Sequence, residues 1–130
     1  MSKISYPAVF HKDGNSYSVT FPDLEGCLTN GKTIEVAFEN AKEVLGLYLD
    51  QNDDKAIKNP SNFAEIISKN TDSIVMLVEY DSTEYSKKNK SKAVKKTLSI
   101  PEWLNEMAIR ENINFSSVLQ EALIQKLRIR

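Results

Sequence analysis

The chain has 130 residues, of which 41% are hydrophobic and 27% charged, and a net charge of −1. These proportions fit a globular protein rather than a disordered or fibrous one, and no apolar run approaches the ~20 residues of a membrane span. The start MSKISYPAV lacks the basic-then-apolar order of a secretory signal, so a cytoplasmic protein with no membrane partner is expected.

The small net charge conceals a division. Residues 1–81 carry 7 lysines against 13 acids, a balance of −6, whereas residues 82–130 carry 10 basic residues against 5 glutamates, a balance of +5. An acidic half followed by a basic half predicts two jobs, with the basic half the one suited to phosphates.

Two apolar, β-prone segments, Ile4 to Phe10 and Tyr17 to Phe21, flank Asp13-Gly14-Asn15, which predicts a hairpin. The run Phe21-Pro22-Asp23-Leu24-Glu25-Gly26-Cys27 ends the second strand, and Cys27 to Thr29 predict a short third before a turn at Asn30-Gly31. Thr33 then suits a helix cap, with Glu35 in the first turn. Ile34, Ala37, Phe38, Ala41, Val44, Leu45 and Tyr48 recur at helical spacing and predict a face packed on the sheet. Glu35, Glu39, Lys42, Glu43 and Asp50 form the opposite side, read as a solvated face first and a partner surface second.

After Gln51-Asn52-Asp53-Asp54 and Asn59-Pro60-Ser61, a short helical pattern runs through Ile67. Ile74 to Val78 then has the continuous apolar character of a buried strand. The segments Tyr6 to Val9, Tyr17 to Cys27 and Gly31 to Ala41 together resemble the HicB antitoxin domain. That resemblance implies a partial ribonuclease-H-like fold, β-β-β-α-β, over residues 1–81, docking a HicA-like toxin, an mRNA endonuclease, and covering its active site.

A nuclease of ribonuclease-H type needs carboxylates converging on two metal ions, one of them from the first strand. Ile4 to Phe10 offers none, Asp13 falls in a turn, and Asp23 and Glu25 fall in a loop, so no catalytic residues are expected. His11 has no orienting partner nearby in sequence, and the single Cys27 reads as a small core residue. With His11 and Cys27 sixteen positions apart and nothing else of their kind, neither a metal nor another cofactor is expected.

Residues 82–92 are polar and lysine-rich and predict a flexible linker whose lysines can sample phosphates. Beyond it, Val94 to Ile100 alternates as a strand with Lys95, Thr97 and Ser99 on one face and Lys96, Leu98 and Ile100 on the other. Pro101 suits the first position of a helix carrying Trp103, Leu104, Met107 and Ala108. Asn114 suits the cap of a second helix carrying Val118, Leu119, Ala122, Leu123 and Leu127, with Lys126, Arg128 and Arg130 near its end. A lone strand has an unpaired edge and so small a unit cannot close a core, so residues 93–130 are expected to fold as a homodimer, with higher oligomers possible.

The order Thr97-Leu98-Ser99-Ile100-Pro101-Glu102-Trp103-Leu104, then Asn114-Phe115-Ser116-Ser117-Val118-Leu119, resembles the ribbon-helix-helix family, making the whole chain an α+β protein. The resemblance implies an antiparallel β ribbon from two chains in the DNA major groove, with Lys95, Thr97 and Ser99 facing bases. The amides around Asn114, Phe115 and Ser116 would hold a phosphate. Asn112 stands where that family often has glycine, and Phe115 where it often has a basic residue.

The two resemblances together imply a type II antitoxin that also represses its own operator. The alternatives are a dimeric transcription regulator whose acidic domain binds a small ligand, and a ribonuclease-H-like nuclease.

Overall fold

The computed structural model describes residues 3–52 and 57–129. Asp53 and Asp54, expected in the turn after the first helix, and Arg130, expected near the end of the last, lie outside the described residues. The chain divides into two compact units, Met1–Lys92 and Ala93–Arg130, and the elements of the second are two helices among the described residues.

The first unit is an α+β layer built on strand β1 (Lys3–Asp13). β1 pairs antiparallel with β2 (Ser16–Thr20) along one side and with β4 (Ile74–Asp81) along the other, and β3 (Leu28–Gly31) joins β2, giving the order β3-β2-β1-β4. The β1–β2 turn places Asp13 opposite Ser16 and has Gly14 at φ 62°, the backbone a two-residue hairpin requires of its first turn residue. Helix α1 (Ile34–Gln51) starts where Thr33 Oγ1 accepts from the Val36 amide at 3.1 Å, as the cap pattern predicts.

Tyr6, Ala8 and Phe10 of β1 form one continuous core with Val19, Val78 and the α1 stripe Ala37, Ala41, Leu45 and Leu49. Burying a side chain such as Leu45 is worth about 1.5–3 kcal/mol, so this face supplies most of the unit's cohesion. Pro7 and Val9, on the other face of β1, are buried too. That is why the strand reads as unbroken apolar sequence.

Three expectations change. Ile74 to Val78 is not a buried strand: β4 is an edge, Val78 alone is fully buried, and Ile74 and Leu77 stay 45% and 49% exposed. Continuous apolar sequence predicts two covered faces, but only one is covered: Met76, Val78 and Tyr80 pack into the core, while Leu77 and Glu79 on the other face stay exposed. Asn30 and Gly31 belong to β3 rather than to a turn, and Gly31 lies under the first turn of α1, where an added Cβ would sit 2.6 Å from Ala37 Cα. Only glycine permits that approach.

Residues 82–92, expected as a flexible linker, contain helix α3 (Ser82–Asn89). Asp81 caps it by accepting from the Thr83 and Glu84 amides at 3.0 and 3.2 Å, and its lysines meet α1 through Lys88–Glu43 (3.3 Å) and Lys90–Asp50 (2.8 Å). Polar composition hid the helix because its partners lie about forty residues back in sequence. The remaining helix, α2 (Phe63–Lys69), is capped by Asn62 and buries Ile66.

Replacing Gly31 with alanine should force α1 away from β3 and destabilise the unit by about 1–3 kcal/mol, seen as a lowered urea midpoint at unchanged slope. A midpoint equal to that of the parent protein would show that α1 can shift without loss.

Candidate functional site

Residues 93–129 contain α4 (Glu102–Arg110) and α5 (Phe115–Leu127), and none of them is buried. Pro101 is the residue before α4 rather than its first, a one-position difference at a helix end. The turn between the helices closes through Asn112 at φ 54°, with the Ile113 amide donating to Ala108 O at 3.0 Å. Asn112 thus supplies the left-handed residue for which glycine is the usual choice.

Asn114 caps α5, its Oδ1 accepting from the Ser117 amide at 3.1 Å. The amides of Phe115 and Ser116 are left without an intrachain acceptor among the described residues, as the first donors of a helix must be. They and Asn114 form the positive end of the α5 dipole.

Lys95, Thr97 and Ser99 are exposed, in a segment that carries no hydrogen-bonded strand in the single chain. A strand defined by its ladder needs a second strand, and this unit has only one candidate. Leu98 (59%), Trp103 (63%), Met107 (53%), Val118 (50%) and Leu127 (62%) are all open to solvent. So many exposed large side chains in about 38 residues exceed what a free-standing surface carries, and they require a cover.

The acidic unit presents Glu35, Glu39 and Glu43 on the exposed side of α1, as its spacing predicts, though Glu43 already holds Lys88 of α3 and Asp50 holds Lys90 just past it. The Lys90 ammonium is held above its ordinary pKa by its hydrogen bond to Asp50. Asp13 lies in β1 at the hairpin, Glu25 is exposed, and Asp23 is buried. The Asp23 carboxylate accepts from the Ser61 amide at 2.8 Å and from the Ser61 hydroxyl, and pairs with Lys58 at 3.7 Å. Its role is to pin the segment before α2 to the loop after β2. Tyr6 adds to this by donating its hydroxyl to Lys58 O at 2.7 Å, and burial, then the Asp23 charge, raise the phenol's pKa.

Among the described residues no three His, Cys, Asp or Glu side chains gather as a metal-binding group. His11 does have a neighbour: the Ser73 hydroxyl lies 2.6 Å from Nδ1, across β1 and the start of β4. Neither this pair nor the Asp23–Ser61 pin was legible in sequence, since the partners stand 62 and 38 residues apart and carry no motif.

Comparison with known proteins gives a consistent picture. A family profile described as "HicB_like antitoxin of bacterial toxin-antitoxin system" matches residues 6–123. A "UPF0150 protein" of Helicobacter pylori (strain J99) is 48% identical over 42 residues, which is 32% of this chain and 58% of that protein; the match spans little more than half of that relative's length. Among solved structures, a chain of the "Toxin-Antitoxin complex from Streptococcus pneumoniae" is similar with a TM-score of 0.58 and 28% identity, covering 96% of this chain and 99% of that one. The antitoxin HicB of Burkholderia pseudomallei shares the fold with a TM-score of 0.55 at 23% identity, covering 96% and 97%.

Cys27, expected in the core, is 2% exposed, and burial pushes its thiol pKa up to about 11. The thiolate is the reactive form, so a thiol reagent at pH 8 should leave the native protein unlabelled and label it fully once urea unfolds it. Rapid labelling of the folded protein would place Cys27 at the surface.

Proposed function

The chain belongs to the HicB_like antitoxin family of bacterial toxin–antitoxin systems, and on that footing we propose that it is a two-part antitoxin that blocks a HicA-like mRNA endonuclease and represses its own operon. The observation that carries the reading is the span of the family match, residues 6–123, which takes in the acidic sheet unit and most of the basic helical unit together.

In this reading residues 1–81 form a partial ribonuclease-H-like domain that masks the toxin's active site sterically, as a binding protein and not an enzyme. The −6 balance of that half would favour encounter with a cationic RNA-binding partner. The protein would act in the cytoplasm; among the described residues no helix is long and apolar enough to cross a membrane.

Residues 93–130 would pair with a second copy as a ribbon-helix-helix homodimer. The ribbon of two 94–100 segments would bury Leu98 and Ile100 on α4 and α5, which is the cover that this unit lacks alone. Lys95, Thr97 and Ser99 would then face the major groove of operator DNA, where lysine donates to guanine N7 and O6 and the hydroxyls donate or accept. The free amides of Phe115 and Ser116, beside the Asn114 cap, suit a backbone phosphate on each side.

Co-expression of the tagged protein with its neighbouring gene, followed by purification, should recover a small basic protein that arrests growth when produced alone. Recovery of operator DNA with no protein partner would instead leave a regulator whose acidic unit binds something else. Lys95→Ala should weaken operator binding by about 1–3 kcal/mol with the dimer intact, whereas Leu98→Asp should yield monomers by light scattering. Monomeric Lys95→Ala protein would contradict the assigned facing.

A further inference from the structure

Helix α3 has no buried residue and only eight positions, too few to hold a helix in water by propensity alone. Its order therefore comes from what it touches. Tyr85 lies directly on the backbone of α1 at Gly46: a Cβ there would meet Tyr85 Cε1 at 2.5 Å. A glycine in the middle of an 18-residue helix weakens it, and here the missing Cβ makes room for the tyrosine ring. Tyr85 also meets the Tyr80 ring at 5.9 Å between centroids.

One turn on, Lys88 reaches Glu43 at 3.3 Å, and past the helix end Lys90 reaches Asp50 at 2.8 Å. Both lysines are more than half exposed, as is Glu43, and Asp50 is 27% exposed, so both pairs reach water, are weakened by salt, and are open to exchange with another cation. Between α1, β4 and α3 runs an open groove of about 800 Å³, lined by Leu47, Tyr80 and Tyr85 and by acids as well as the lysines Lys3, Lys42 and Lys88.

We infer that residues 82–92 are a releasable latch whose helix, Ser82–Asn89, stays docked only while Tyr85 occupies the Gly46 notch and Lys88 and Lys90 hold Glu43 and Asp50, and that it is set free when a cationic protein segment takes those carboxylates. Release would change the span of residues 82–89 from about 12 Å as a helix to at most about 28 Å as extended chain. The segment that joins the two units in sequence would then change length when the acidic unit is occupied. The latch itself stands on the intrachain contacts; only the identity of its natural competitor rests on the toxin reading.

The test is amide hydrogen exchange on the full-length protein without any toxin, following residues 84–92 with β1 amides as the internal control. In the parent protein at low salt, residues 84–92 should be protected. Gly46→Ala, which fills the notch, and Glu43→Gln with Asp50→Asn, which removes both carboxylates, should each raise exchange there about tenfold or more while β1 is unchanged. Hexalysine added to the parent protein should do the same, and should have little effect on the Glu43→Gln, Asp50→Asn protein.

Should Gly46→Ala disturb the core and raise β1 exchange as well, the charge variant and the peptide titration decide the matter. Residues 84–92 that exchange at unstructured rates in the parent protein, or that stay protected in the charge variant, would overturn the latch. Protection indifferent to hexalysine would overturn release by a cationic segment. Failure of the toxin reading would appear instead as an empty pull-down with this exchange pattern intact.

Discussion

The burial of one face of β1 against α1 is the contact on which the first unit depends. Tyr6, Ala8 and Phe10 sit in one core with Ala37, Ala41 and Leu45, and the same strand carries β2 on one side and β4 on the other. A strand held at both edges and covered on both faces has no alternative register, because a one-residue slip would turn Tyr6, Ala8 and Phe10 away from the helix. The alanines of α1 let the helix lie close to the sheet, and Gly31 and Gly46 extend that close packing to β3 on one side and Tyr85 on the other.

Around this core the polar contacts act as pins. The Asp23 carboxylate is held by both polar groups of Ser61 and by Lys58, and the Tyr6 hydroxyl closes on the Lys58 carbonyl. A buried carboxylate is tolerable only when its acceptor capacity is used, so the loop after β2 and the segment before α2 must come together. The pairs between α3 and α1 are of the opposite kind, exposed and individually weak. That contrast separates a fixed junction from one that can open.

The second unit poses a different physical problem. Two helices with no buried residue, the second of them capped by Asn114, cannot be the whole of a folded module, because hydrophobic cover is what a short unit lacks most. The family match places the chain among antitoxins, and the proposed pairing of two copies would give the 94–100 segment a ladder and the apolar faces of α4 and α5 an interior. Folding and DNA recognition would then be a single event, since the surface offered to bases would exist only in the dimer.

The sequence by itself determined the local structure. The hairpin at Gly14, the Thr33 and Asn114 caps and the apolar stripe of α1 each follow from a few adjacent residues with one favourable backbone, and the motifs that resemble HicB antitoxins are readable for the same reason. Tertiary structure decided what adjacency cannot carry. It made β4 an edge and turned residues 82–89 into a docked helix, because the partners of that helix lie on α1, some forty residues earlier. It also made Asp23 a structural pin and gave His11 a neighbour in Ser73. Long-range contacts of this kind depend on which surfaces the packed sheet brings together, and no local pattern of residue types encodes that.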